Sequence, residues 1–164
     1  MAHSGRRWIW LPAFVGICLA VAAIGALSTA SSVSTWYPAL KKPSWNPPNS
    51  VFGPVWTTLY IMIGIAGWLV WRAAGGNERR RVLWWWAVQL ALNFLWSPLF
   101  FGLRNPGLAC IDIVLLWAAI AAFVVGAWKV SVPSALLFLP YWLWVTFATA
   151  LNFAVWWLNR GAAA

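Results

Sequence analysis

The sequence has very few groups that carry acid–base or metal chemistry. Its 164 residues include only two acids, Glu78 and Asp112, together with two cysteines and one histidine. Cys18 and Cys110 lie in separate apolar runs without CxxC spacing, so they indicate small core residues rather than a disulfide or metal site. The histidine, His3, lies near the N-terminus. A catalytic triad, a carboxylate pair and a metal cage are therefore not predicted, and we expect no cofactor.

Charge is scarce as well. Charged residues make up 8% of the chain and hydrophobic residues 63%, whereas a soluble domain has about 25% charged residues. This composition excludes a water-soluble monomer, because too little polar surface is available to cover it, and it excludes intrinsic disorder. The net charge of +9 reflects the near absence of acids. Because the basic residues lie mainly at the ends of apolar runs, nucleic acid is not an expected partner.

What the sequence does contain is five apolar runs, each long enough to cross a bilayer as a helix, which takes about 20 residues. Barrel strands would be shorter and would alternate apolar with polar residues. The runs therefore predict an all-α integral membrane protein with one domain, residues 1–164. Its helices are predicted at about residues 9–30, 51–71, 82–103, 107–128 and 132–158. Arg6 and Arg7 before the first run resemble a signal peptide, but the length of the run favours a retained span.

A long loop, Ser31–Ser50, joins the first two predicted helices. Its four prolines exclude a regular helix, and its aromatic residues favour an ordered loop packed on the bundle. Basic residues lie unequally on the two sides of the predicted membrane. Seven are on the N-terminal side (Arg6, Arg7, Arg72, Arg79, Arg80, Arg81, Lys129) and four on the loop side (Lys41, Lys42, Arg104, Arg160). This asymmetry predicts that the N-terminus is inside and the loop outside.

Polar and aromatic residues share one face in three of the predicted helices. These faces are Phe52, Trp56 and Tyr60; Gln89, Asn93, Trp96 and Phe100; and Tyr141, Trp144, Ala148 and Asn152. A side-chain amide in hydrocarbon needs a partner, so we expect these faces to point into the bundle. Two interpretations stay open. Either the amides only hold helices together, or the faces enclose an aromatic small-molecule pocket.

Several other residues also allow two interpretations. Asp112, the acid within a span, lies either at the interface beside Arg104 or in the site. Pro98 and Pro140 are predicted to kink the third and fifth helices. Small residues recur at four-residue spacing in the third and fourth helices, where they suit packing within the bundle or a second subunit. These residues are Ala87 and Ala91, and Ala118, Ala122 and Gly126.

Several motifs, in chain order, resemble the TspO/MBR family, the translocator proteins also called peripheral-type benzodiazepine receptors. They are Trp36-Tyr37 with Lys42–Pro48 (KPSWNPP), Val51–Trp56 (VFGPVW) with Leu59-Tyr60, Gln89–Asn93 (QLALN) with Trp96-Ser97-Pro98, and Pro140-Tyr141 with Trp144, Phe147-Ala148 and Leu151-Asn152. The resemblance implies a five-helix membrane protein, usually a homodimer, that binds porphyrins, sterols and synthetic ligands. The pocket would lie between the helices, beneath the first loop.

The resemblance and the shared faces together predict one set of ligand-binding residues. This set is Trp36, Trp45, Trp56, Tyr60, Gln89, Asn93, Trp96, Phe100, Tyr141, Trp144, Ala148 and Asn152. The expected function is a membrane receptor or transport-associated protein for porphyrins and other flat hydrophobic ligands. One alternative is light- and oxygen-dependent porphyrin degradation that involves Trp144. Another is a structural membrane scaffold.

Two departures from the family pattern limit what we expect of the site. Ser50 stands where the family often has a tryptophan, so part of the aromatic wall is expected to be missing. Phe153 stands at the central tyrosine of the proposed cholesterol motif, so tight cholesterol binding is not expected. The short tail, Gly161–Ala164, lacks the basic extension of animal members and favours a bacterial protein in a bacterial membrane.

Overall fold

Five long helices make up the protein, which confirms the predicted all-α membrane fold. The computed structural model describes residues 8–73 and 75–161, and no strand occurs in these ranges. Arg6 and Arg7, which entered the signal-peptide and orientation arguments, lie outside them, as does His3. The helices are α1 (Leu11–Thr35), α2 (Asn49–Arg72), α3 (Asn77–Ser97), α4 (Pro106–Val130) and α5 (Val132–Asn159).

The helices have the length and hydropathy of an integral membrane protein. Four of them, α1, α2, α4 and α5, are each long and apolar enough to cross a bilayer. Helix α3 is less apolar because it begins with Glu78 and the basic run Arg79–Arg81, and because its interior carries Gln89 and Asn93. Those two amides are buried inside the bundle. Their polarity therefore faces protein rather than lipid, as a polar group in a membrane requires.

The five helices form a closed ring in the order α1, α2, α5, α4, α3, with α3 also touching α1. The core centres on α4 and α5, where the rings of Phe123 and Phe138 stack 3.8 Å apart. Helices α1 and α2 meet most closely at Gly64. A Cβ atom there would lie 2.7 Å from the Cα atom of Val15, so only glycine allows this approach. The two backbones are thus held together at one end of α1.

The loop between α1 and α2 is shorter than predicted. Helix α1 continues through Ser31–Thr35, and α2 already begins at Asn49, so the loop spans residues 36–48 with one turn of 3₁₀ helix at Tyr37–Ala39. In the last turn of α1, the hydroxyls of Ser34 and Thr35 donate back to carbonyls of the same helix, for example Thr35 to Ser31 at 2.7 Å, whereas Ser32 donates to the Phe101 carbonyl at 2.9 Å. Serine and threonine are common at helix ends and turns, but these local hydrogen bonds also let them extend a helix.

Pro98 ends α3 rather than kinking it. The helix stops at Ser97 and is followed by a π-helical turn, Pro98–Gly102, closed by a 2.8 Å hydrogen bond from the Leu103 amide to the Pro98 carbonyl. Short π-helical turns are typical of functional sites, since they displace side chains from the regular helical register. Pro140, in contrast, lies within α5, which continues through it.

Candidate functional site

A cavity of about 340 Å³ lies inside the ring, beneath the loop at residues 36–48. All five helices contribute to its wall, and most of the lining side chains are apolar. The lining includes Ala22, Gly25, Ala26, Thr29 and Val33 of α1; Asn49, Phe52, Gly53, Trp56, Thr57 and Tyr60 of α2; Asn93, Trp96 and Ser97 of α3; Ile113 and Leu116 of α4; and Trp144, Val145, Ala148, Leu151, Asn152 and Val155 of α5. Its volume and lining are those of a small-molecule site.

Aromatic rings form two sides of the cavity. On one side, Trp144 meets Phe52 edge to face with the ring centres 5.9 Å apart. At a second place in the wall, Trp96 stacks on Phe100 at 5.0 Å, and the π-helical turn brings Phe100 into the wall. Because each ring packs against another, the walls are held rigid and present flat apolar faces. Such walls suit a flat, polarisable molecule.

A chain of hydrogen bonds forms the polar end of the cavity. Tyr60 donates to Asn93 Oδ1 at 2.5 Å, Asn93 Nδ2 donates to the hydroxyl of Tyr141 at 2.6 Å, and Tyr141 donates to Gln89 Oε1 at 3.0 Å. Gln89 Nε2 then donates to the backbone carbonyl of Trp86 at 2.8 Å. Since a carbonyl can only accept, the direction of every bond in the chain follows from this last one. The proton of the Tyr60 hydroxyl is therefore directed away from the cavity.

Asn152 forms a second polar contact, between three helices. Its Oδ1 accepts a hydrogen bond from the indole N–H of Trp96 at 2.9 Å. Its Nδ2 donates to the Pro106 carbonyl at 2.9 Å and to Cys110 Sγ at 3.0 Å. The amide thereby fixes the ring of Trp96 in the wall. Because all these groups are satisfied by protein, Asn152 holds helices together as well as lining the cavity.

Eight of the twelve predicted ligand-binding residues line the cavity. They are Trp56, Tyr60, Asn93, Trp96, Phe100, Trp144, Ala148 and Asn152. Gln89 and Tyr141 are fully buried behind the wall, where they act through Asn93. Trp36 packs on Phe100 from the loop side, and Trp45 is 48% exposed beside Phe147. The two interpretations of the amides are thus compatible, since the same chain bonds helices and lines the cavity.

Asp112 occupies neither of the two places considered from the sequence. Its side chain is only 4% exposed, so it does not lie at the interface beside Arg104, which is exposed. It is also absent from the cavity lining. Neither carboxyl oxygen has a hydrogen-bond partner in the part of the chain that the structure describes. It is a buried polar group without a compensating contact, and such groups cost free energy.

Sequence reasoning missed the contribution of α1, from which no candidate residue was chosen. Its lining residues, Ala22, Gly25, Ala26, Thr29 and Val33, recur at helical spacing. They carry no strongly polar or aromatic group, and that was the signal by which the other faces were found. Small residues such as Ala20 and Ala23 also occur on the other faces of α1, so the sequence offered no signal that separates this face.

The loop is tied to the bundle at several points. Asn159 of α5 accepts a hydrogen bond from the Lys41 amide at 3.0 Å and donates to the Lys41 carbonyl at 2.9 Å. Tyr37 is buried against Phe100 and donates to Asn46 Oδ1 at 3.1 Å. Burial raises the pKa of the Tyr37 phenol, partly opposed by the bond to Asn46, so the hydroxyl stays protonated and keeps this bond. The loop therefore closes the cavity from one side.

The arrangement is suited to binding rather than to acid–base chemistry. Within residues 8–73 and 75–161, no group of three histidine, cysteine or acidic side chains is placed to hold a metal ion. The polar groups of the wall are amides, hydroxyls and indoles, which orient a ligand by hydrogen bonding. Among them, the indole N–H of Trp144 is buried and has no hydrogen-bond partner within residues 8–73 and 75–161.

Comparison with known proteins gives consistent matches over nearly the whole chain. The sequence model of the TspO/MBR family matches residues 14–158. The chain is 46% identical to the tryptophan-rich protein TspO of Archaeoglobus fulgidus, with 86% of this chain and 91% of the relative covered. It is 45% identical to protein CrtK of Rhodobacter capsulatus, covering 92% and 95%. It is 42% identical to the human translocator protein, covering 93% and 92%.

Proposed function

The chain belongs to the TspO/MBR family, and from that premise we propose that it is a membrane receptor or transport-associated protein that binds porphyrins and other flat hydrophobic ligands inside the bundle. Relatives named translocator protein and tryptophan-rich sensory protein support the receptor or transport role. The observation that carries the proposal is the cavity of about 340 Å³, whose wall combines several aromatic rings with the hydrogen-bonded pair Tyr60 and Asn93.

In the proposed complex, the wall residues have two roles. Trp96, Phe100 and Trp144 would contact the faces of the macrocycle, because stacking and edge contacts between π systems favour flat ligands. A polar edge of the ligand would donate a hydrogen bond at the polar end of the cavity. Tyr60, whose proton is directed to Asn93, would accept one. The small side chain of Ala148 would leave space for the macrocycle.

Titration with protoporphyrin IX tests the proposal. The purified protein in lipid nanodiscs is expected to show a saturable shift of porphyrin absorbance and quenching of tryptophan fluorescence. Ala148→Phe places a ring in the cavity and is expected to weaken binding at least about tenfold, since the ligand must displace it. Ala150→Phe, on the exposed side of the same helix, is the matched control and should bind as wild type does. Equal binding by both variants would contradict the proposal.

Light-dependent porphyrin degradation remains an alternative that uses the same cavity. The position of Trp144 in the wall, with its ring against Phe52, is the observation in its favour, because an indole in contact with an excited porphyrin can be oxidised. Illumination of the complex in air distinguishes the two functions. Loss of porphyrin absorbance that is faster with wild type than with Trp144→Phe, at equal occupancy, would support degradation.

Assembly and orientation also stay proposals. The family resemblance suggests a homodimer, and the small residues Ala87 and Ala91 are exposed on α3, where a second copy could approach closely. Cross-linking of Ala91→Cys in membranes tests this contact.

We also propose that the loop at residues 36–48 faces the outside and the basic turn at Arg79–Arg81 faces the inside. Labelling of Ser44→Cys and Arg80→Cys with a membrane-impermeant thiol reagent distinguishes the two orientations.

A further inference from the structure

The most exposed part of the cavity wall lies between α1 and α2. Of all the residues that line it, only four are exposed: Ala26 of α1 and Asn49, Gly53 and Thr57 of α2. The three residues of α2 follow one another at four-residue spacing and so lie on one face of that helix. We call this opening the α1–α2 gap. It is a lateral opening, since both of its edges are helices of the bundle.

Two glycines of α2 mark a close approach to α1 at one position and open space at another. At Gly64 the backbones of α1 and α2 are so close that a Cβ atom would collide with Val15. At Gly53, near the start of α2, a Cβ atom would meet nothing within 4 Å. All the residues of α1 and α2 that line the cavity lie on the Gly53 side of the contact at Gly64. Helix α1 buries only Cys18 and Ser32 fully, so few contacts oppose its outward displacement.

Apart from Asn49 at the start of α2, the edges of the gap present no unsatisfied polar side chain. Thr57 donates its hydroxyl to the Gly53 carbonyl at 2.9 Å, and Thr29 donates to the Ala26 carbonyl at 2.8 Å. Both hydroxyls are therefore satisfied by their own helix. A hydrophobic molecule can pass them without breaking a hydrogen bond to the protein or to solvent. The exposed side chains of Ile24 and Leu27, on the same stretch of α1, are suited to contact with acyl chains.

The other end of the cavity is closed by the loop. Two hydrogen bonds join Lys41 to Asn159, and Tyr37 is buried against the π-helical turn. Entry from water would require these contacts to break and would also require a hydrophobic ligand to be dissolved in water first. Entry from the bilayer requires neither.

We propose that the cavity is loaded and emptied sideways through the α1–α2 gap, by hydrophobic molecules already dissolved in the bilayer. This inference rests on the proposed function, since it concerns the route to the same cavity. If the gap is the route, an obstacle in it must slow entry and exit equally, because a barrier on the path changes both rates and leaves the equilibrium constant unaltered. The equilibrium titration and the rates therefore report separately on the ligand and on its route.

Two glycines provide a matched pair of variants. Gly53 lies in the gap, whereas Gly16 is exposed on α1 away from the cavity, and neither has an atom within 4 Å of a Cβ position. Stopped-flow quenching of tryptophan fluorescence is measured with protoporphyrin IX partitioned into vesicles that contain the protein. Gly53→Trp is expected to lower both the association and the dissociation rate constants about tenfold or more, whereas a ring that only filled part of the cavity would not slow dissociation. Gly16→Trp is expected to leave both rate constants as in wild type.

A third variant tests the loop. Asn159→Ala removes both hydrogen bonds to Lys41 and is expected to leave the association rate unchanged. Wild-type rates in Gly53→Trp would overturn the proposal, and so would faster association in Asn159→Ala. If Gly53→Trp also weakens equilibrium binding, its ring has entered the cavity. The association and dissociation rates of Ala26→Trp, on the α1 edge of the gap, then decide whether the gap is the route. Absence of saturable binding by the wild-type protein would instead refute the proposed function.

Discussion

Removing one hydroxyl group, that of Tyr141, is expected to destabilise the bundle measurably. The hydroxyl is at the middle of the hydrogen-bond chain, where it accepts from Asn93 at 2.6 Å and donates to Gln89 at 3.0 Å. Tyr141→Phe keeps the ring, which packs edge to face on Phe138 and Trp56. The substitution therefore removes two hydrogen bonds without opening a large void.

The size of the effect depends on what the two partners can do afterwards. A buried polar group left without a partner costs about 1–3 kcal/mol, whereas a hydrogen bond between membrane helices contributes about 0.6 kcal/mol on average. Gln89 is fully buried, so its oxygen stays unsatisfied. Asn93 lines the cavity, where water can replace the lost contact. The unsatisfied oxygen of Gln89 contributes its full cost and Asn93 only part of one. Together they give an expected loss of about 1–3 kcal/mol in the free energy of unfolding.

Reversible unfolding in mixed micelles of dodecyl maltoside and dodecyl sulfate, followed by tryptophan fluorescence, measures this loss. Tyr60→Phe is the matched control, because it removes only the bond to Asn93 and leaves an acceptor facing the cavity. It should cost about 0.6 kcal/mol. The reasoning is refuted if Tyr141→Phe is as stable as wild type or no less stable than Tyr60→Phe.

Three further substitutions test other features of the bundle. Gly64→Ala places a methyl group against the backbone of Val15 and should lower the free energy of unfolding by about 1–3 kcal/mol. Gly16→Ala, which has open space around its Cβ position, is the control and should not lower the free energy of unfolding. Chemical unfolding of the two variants measures the difference. Asp112→Leu removes a buried carboxyl group without a partner and should raise the thermal midpoint in detergent; a lower midpoint would indicate a contact that the structure does not contain. Asn152→Leu breaks three hydrogen bonds, and thermal unfolding should show a loss of about 1–3 kcal/mol.

The five helices, and the inward-facing sides of α2, α3 and α5, were predictable from the sequence. Hydrocarbon solvent requires long helical runs, because every backbone group must find its partner within its own segment. The faces of α2, α3 and α5 were found because amides such as Asn93 and Asn152 cannot face lipid. Trp96 and Trp144, at helical spacing from them, were thereby assigned to the same side. Eight of the residues chosen in this way line the cavity.

Other features were not predictable, each for a physical reason. Ser31–Thr35 continue α1 because hydroxyl groups can bond either a turn or their own helix, and the sequence does not distinguish the two. Helix α1 contributes small apolar residues to the wall, and such residues also suit lipid contact or helix packing. Gln89 and Tyr141 carry the same polar signal as Asn93 but lie one layer deeper. Periodicity assigns a residue to a face and says nothing of its depth.

The sequence by itself determined that this chain spans a membrane as five helices and that the amides of α3 and α5 must turn inward. Both follow from local physics, the hydrogen-bonding needs of a single segment in a medium without water. Only the tertiary structure decided where a cavity opens. Its position depends on how far two helices diverge, and that is set where glycine lets α1 and α2 touch at Gly64 and where nothing fills the space at Gly53. Such contacts join residues far apart in the chain, and no segment contains the information alone.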